Sequence, residues 1–270
     1  MTGENDLRLP LHGGTCARLL LCVLISISTF TAQPSAARES GDPIELAWSE
    51  GDVAGTTTIR SPDGRSTIGF VDYHQRRRGA RLSAVRIARF ADGSSDEDQV
   101  EARIGKTLET LRGRSIIRNT KGVPTVDIQI DVEHGHITGF SGLGDERQTY
   151  DEHVALSPGT YWGPLIFIVV KNFERNAADG HLVFQTVVPT PKPRILDMEL
   201  LRKDATSIRR PGGKIDVVRF TLRPTVNWLV DPVVHMIAPE SEFLVQLGAP
   251  PALARFAGPR NFAQQHIRIE

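Results

Sequence analysis

The chain has 270 residues, and its 32 lysines and arginines are balanced by 32 aspartates and glutamates. That balance excludes the basic excess on which sustained nucleic-acid binding depends. Both cysteines, Cys16 and Cys22, lie near the N-terminus, so disulfides, thiol nucleophiles and cysteine zinc sites are excluded for everything downstream.

In chain order, the first element is a segment of export type. Arg8, His12 and Arg18 precede the apolar run Leu19–Ile25, and Ser35-Ala36-Ala37 places small residues where a signal peptidase cuts. The apolar core of about 7–12 residues is short of the ~20 that a membrane-spanning helix requires. The expectation is a cleaved signal peptide over residues 1–37, no lasting membrane span, and a periplasmic or secreted product. Residues 38–270 are then expected to form a single β-rich domain.

Period-two alternation runs through that region. Val126, Ile128, Ile130 and Val132 interleave with Asp127, Gln129 and Asp131, which predicts a strand with one buried face. Glu133-His134-Gly135 predicts a turn, and His136–Phe140 the return strand. Ser66–His74, Arg81–Phe90, His181–Val188, Arg194–Leu201, Lys214–Arg223 and Glu240–Leu247 read the same way. Pro62-Asp63-Gly64, Asp92-Gly93-Ser94 and Pro211-Gly212-Gly213 supply turn chemistry between them. Arg76-Arg77-Arg78 before Gly79 reads as a solvated hairpin tip. Two segments admit two readings. Over residues 96–112, Val100, Ile104, Leu108 and Leu111 have helical spacing with Gly113 as a stop, but Val100, Ala102 and Ile104 also alternate; strand is preferred. Leu165–Phe173, after Trp162-Gly163-Pro164, suits a buried helix with proline in its first turn, or a strand by its β-branched content. Together these predict a mostly β fold: a curved antiparallel sheet or half-barrel with one or two short helices, one of them buried.

No catalytic set emerges. Gly139–Gly144 resembles a serine-hydrolase elbow, but Leu143 stands where the sharp turn demands glycine. Gly105-Lys106-Thr107 ends like a phosphate loop, yet Val100 occupies the position of its leading glycine. Asp92, Ser94, Asp96 and Asp98 offer oxygens at alternate positions without the glycine and distal glutamate of a calcium loop, and read as a solvated acidic hairpin. His134, His136 and His153, with Asp145, Glu146, Asp151 and Glu152 nearby, lack the spacing of a metal site. No metal, cofactor or catalytic residue is therefore assigned. The aromatic residues are more informative, because a half-closed antiparallel barrel can leave an apolar cavity. Trp162 and Phe167 are the first candidates to line it, with Phe140, Phe184 and Trp228.

Four stretches, taken in order, carry a resemblance: Phe90-Ala91-Asp92-Gly93-Ser94-Ser95-Asp96-Glu97; Asp127–Asp131 before a His-Gly turn; Gly163-Pro164 with an apolar segment ending in Lys171-Asn172; and Phe256-Ala257-Gly258-Pro259 with Ile267-Arg268-Ile269-Glu270. In these the chain resembles an uncharacterised family of exported bacterial β-proteins, distantly similar to periplasmic lipoprotein carriers. The resemblance implies an open half-barrel around a helix, with a concave apolar face suited to a lipid or other apolar small molecule, and it carries over no catalytic residue. The leading expectation is non-enzymatic binding of such a ligand. A hydrolase acting on an envelope lipid or glycan through scattered histidines and acids is the second reading. A structural or protein-interaction component of the envelope is the third.

Overall fold

The alternation is realised as hydrogen-bonded strands, and its phase decides which face each strand buries. The computed structural model describes residues 39–177, 179–188, 192–210, 212–225, 240–260 and 265–270, so the expected signal segment and Trp228 lie outside the described residues. Within them, β1 (Ile44–Glu45) is followed by β2 (Val53–Arg60), β3 (Thr67–Arg78), β4 (Arg81–Phe90), β5 (Ser95–Ile104) and β6 (Thr107–Arg118). Next come β7 (Pro124–Asp131), β8 (His136–Ser141) and β9 (Gln148–His153), then two short helices, α1 (Pro164–Lys171) and α2 (Phe173–Asn176). The chain returns to sheet in β10 (His181–Val188), β11 (Arg194–Arg210), β12 (Gly213–Pro224), β13 (Ser241–Gln246), β14 (Ala252–Pro259) and β15 (His266–Ile269).

All these strands join one antiparallel sheet in the order β10 to β15 and then β2 to β9, with β1 added alongside β6. Two sequential meanders are thus joined where β15 pairs β2, through Arg268 opposite Arg60 and Ile269 opposite Ile59. The sheet is open: β10 and β9 end the path. The β10 edge is covered instead by the connection from β9, in which Tyr161 N–H donates to the Gln185 carbonyl at 2.8 Å. Such cover removes a row of unpaired backbone groups that would otherwise invite another strand.

The ambiguous segment 96–112 is strand. Its helical spacing is outweighed because Ser95 pairs Arg118 and the ladder continues to Ile104 opposite Leu108, around a tight turn at Gly105-Lys106. Gly113 is no helix stop; it lies within β6, opposite Val100 on one side and Ile130 on the other. The Leu165–Phe173 segment is helical. Pro164 takes the first helical position, where its missing N–H costs nothing, and Gly163 adopts φ +53°, ψ −127°, a conformation that side chains disfavour. Strand β2 has no apolar alternation to betray it: only Ile59 of its eight residues is buried.

Leu165, Ile168, Val169 and Val170 of α1 are buried against the concave face, among Leu82, Val100, Ile128, Phe184, Phe220 and Phe243. Each fully buried side chain of that size contributes about 1.5–3 kcal/mol. Two polar locks fix the helix. Lys171 reaches the buried Glu50 carboxylate at 2.7 Å. Ahead of α1, the Tyr161 hydroxyl accepts from Ile44 N–H at 2.8 Å and donates to the Leu108 carbonyl at 2.7 Å, tying β1 and β6 to the connection.

Candidate functional site

Between α1 and the sheet lies a cavity of about 160 Å³. Its apolar wall comes from both meanders: Ile117 of β6, Ile166 and Phe167 of α1, Val187 of β10, Leu222 of β12 and Phe243 of β13. Phe256 of β14 adds a second edge to the aromatic cluster, with its ring 6.5 Å from Phe167 and 5.2 Å from Phe243. At about 10–15 Å³ per water position, the space holds on the order of ten small groups. That matches a short amphiphile or one end of an acyl chain.

One wall is polar. Arg86 of β4 lies directly opposite Asp98 of β5, which lies opposite Ser115 of β6. Arg86 Nε donates to Asp98 Oδ2 at 3.1 Å, and the Ser115 hydroxyl donates to Oδ1 at 2.8 Å. Two residues earlier on the same face, Asp96 takes a two-pronged contact from Arg260, whose Nε and Nη2 both stand at 3.0 Å. Arg260 also lies 3.5 Å above the Phe90 ring, a cation–π contact that further fixes it. Arg260 follows β14, five strands along the sheet from β5, so this pair measures how far the sheet has curled.

The reading of Asp92–Asp98 as a solvated loop is therefore corrected. Ser94, Asp96 and Asp98 are buried, because they continue inward the phase of Val100, Ala102 and Ile104. Burial, opposed only partly by Arg260, holds the Asp96 carboxyl above the ordinary aspartate range. A carboxyl raised in the fold binds its proton more tightly there than in the unfolded chain. Its contribution to stability then falls as pH rises through the window from 3.8 to the raised value. Urea denaturation of wild type and Asp96→Asn should show the stability difference moving against the wild type as pH rises above about 4. A difference that stays flat across that range would contradict the burial argument.

Trp162 completes the site. Its ring lies over Gly113, in a slot that any side chain at 113 would fill. The indole is 4% exposed, and its Nε1–H is buried with no acceptor among the described residues. A buried donor without a partner is uncommon. Gly163 next to it packs within 2.9 Å of Asp98 Cβ, measured from where its own Cβ would stand, which sets the start of α1 against the acid.

Of the aromatic residues expected to line a cavity, Trp162 and Phe167 do so. Phe184 is wholly buried beside Tyr161, with ring centroids 6.0 Å apart, in the packed core. Phe140 lies on β8 under the Arg147 guanidinium, 3.5 Å from its carbon. The histidine-rich hairpin assembles in part. His136 stacks on His153 at 4.5 Å, and its Nε2 lies 2.7 Å from Asp151 Oδ1. Asp145 sits in the Gly144–Glu146 turn at the opposite end of β8, five or six residues or about 17–20 Å away along the strand. His134 is paired with Asp131 instead, at 2.9 Å. Among the described residues no three metal-ligating side chains converge. Ser141 is buried with its hydroxyl 2.8 Å from that of Tyr150.

No protein-family model matches the chain, and no curated protein matches it. Among solved structures it is similar to the crystal structure of a beta-barrel-like protein, a domain of unknown function (DUF1849) from Brucella abortus. The two share 10% identity and a TM-score of 0.42, over 81% of this chain and 93% of that one.

Proposed function

We infer that the chain is an exported, non-catalytic envelope protein that holds a small amphiphilic or acyl ligand in the cavity beneath α1. The observation that carries this reading is an apolar cavity of about 160 Å³ between α1 and the sheet, with Trp162 and Phe167 in its wall. A ligand with an apolar body and a small polar end suits a cavity whose lining is apolar except for the wall of Arg86, Asp96, Asp98, Ser115 and Arg260. The neighbouring acids are each committed to an arginine, which leaves none as a ready general base. Export rests on the sequence of residues 1–37, and a half-barrel wrapped around a helix is suited to a periplasmic carrier or sensor of such molecules.

The test is native mass spectrometry of the purified protein, with solvent extraction of what it carries, followed by displacement of a fluorescent fatty acid. Phe167→Ala removes part of the apolar wall and should weaken binding by about 5–20-fold. Val187→Trp should fill the cavity and abolish binding. No co-purified ligand together with no saturable uptake of the probe would overturn the reading.

A further inference from the structure

On the part of the sheet where the two meanders join, away from the α1 cavity, arginines gather without matching acids. Arg60 of β2 lies directly opposite Arg268 of β15, a like-charge cross-strand pair that is ordinarily destabilising. Arg255 of β14 joins them. One side-chain carboxylate serves all three: Glu270 contacts Arg268 at 2.6 Å, Arg255 at 3.5 Å and Arg60 at 3.7 Å. The end of the long β11 strand brings Arg209 and Arg210 to the same cleft, and neither has a carboxylate partner among the described residues. Thr58 and Ile208 complete a lining around about 200 Å³.

This cleft differs from the other arginine sites of the protein. Arg86 and Arg260 each have an aspartate of their own. Here Arg60, Arg255 and Arg268 share one glutamate side chain, and Arg209 and Arg210 line the cleft beside it. The Nε–H groups of Arg60, Arg255 and Arg268 are all buried, and none makes a hydrogen bond among the described residues. Burial first, and the charge of Arg268 next, push the Arg255 guanidinium below its ordinary value, as expected where positive charge is crowded and incompletely neutralised. Guanidinium forks suit planar or tetrahedral oxyanions, to which they donate in pairs.

The geometry points to an oxyanion-binding site in this cleft, built by Arg60 and Arg255 on the sheet, with Arg268 holding Glu270 at its edge, and closed by Arg209 and Arg210 from the β11 end, with phosphate as the group it takes. The phosphate can be free or the headgroup of an anionic lipid, since the chemistry presented to the arginines is the same. Isothermal titration of the whole chain with inorganic phosphate at fixed ionic strength, against chloride, tests the site directly. Flotation with phosphatidylglycerol vesicles, against phosphatidylcholine, separates the two sources. Saturable phosphate binding without flotation supports the free ion; flotation on the anionic vesicles supports the headgroup. Arg255→Gln should weaken binding by about 10-fold or more. Arg209→Gln/Arg210→Gln, which leaves the three sheet arginines untouched, should weaken it to a similar extent without changing the unfolding temperature. Binding to neither phosphate nor vesicles by the wild type would overturn the site, as would affinity unchanged in both variants.

Discussion

Replacing Asp98 with alanine is expected to cost about 3–5 kcal/mol of folding stability, among the largest single effects in the molecule. Asp98 is the middle member of a row across three strands, with Arg86 on one side and Ser115 on the other. Its side chain is 10% exposed and that of Arg86 16%, so removing the acid strands a guanidinium out of water. It also leaves the Ser115 hydroxyl without its acceptor. The double variant Arg86→Met/Asp98→Leu should recover most of that loss, because a buried ion pair is close to break-even against an apolar pair of similar volume. Urea denaturation of the three proteins checks both parts. A single-variant loss below about 1 kcal/mol would mean that water reaches the pair freely.

The second large effect is expected at Gly113. A Cβ at this position would stand 2.5 Å from the Gln99 carbonyl oxygen and overlap the Trp162 ring. Gly113→Val must therefore push the indole aside and distort the β5–β6 ladder, at a cost of about 3 kcal/mol or more. Moving the indole also disturbs the cavity wall to which Trp162 belongs, so the variant should lose fatty-acid binding in whatever fraction remains folded. Thermal unfolding followed by tryptophan fluorescence reads both, since the emission should move toward that of exposed indole. Gly55, within a strand but with nothing near the position of a Cβ, is the control: Gly55→Ala should change stability little.

Much of this architecture is legible in the sequence, and the reasons differ by element. Strands that bury one face and expose the other announce themselves, as in β4 and β10, whose sequence and structural bounds coincide. The helix α1 is legible through Gly163-Pro164, because proline and a positive-φ glycine fix where it begins. Strand β2 is hidden for a physical reason. It lies at the junction of the meanders, where Thr56, Thr57, Thr58 and Arg60 face water or polar partners and only Ile59 is buried. The charged wall of the cavity was within reach. Leu82, Ala84, Arg86, Ala88 and Phe90 share one phase of β4, and Asp96, Asp98, Val100, Ala102 and Ile104 share one phase of β5. An arginine in an apolar phase on one strand and acids in an apolar phase on the next are the signature of a buried ion pair. Arg260 could not have been found this way, since its partner Asp96 is more than 160 residues distant and only the curl of the sheet unites them. The arginine cleft is hidden likewise, because Arg60 of one meander and Arg209, Arg210 and Arg255 of the other line it only after the two meanders meet.

That meeting has a kinetic side. Within each meander every strand pairs with its neighbour in sequence, so most of the ladder forms by short-range closures. Besides the short β1–β6 pairing, the β2–β15 seam is the long-range exception: Ile59 and Ile269 pair across a loop of about 210 residues, through a register only two residues long. Closing such a loop costs on the order of 5 kcal/mol in chain entropy. The seam therefore forms last, after both meanders and α1 have given it a surface on which to assemble. A chain that crosses a membrane unfolded and N-terminus first would have to carry the outer edge of β2 unpaired until β15 arrives, and aggregation would compete for it throughout that interval.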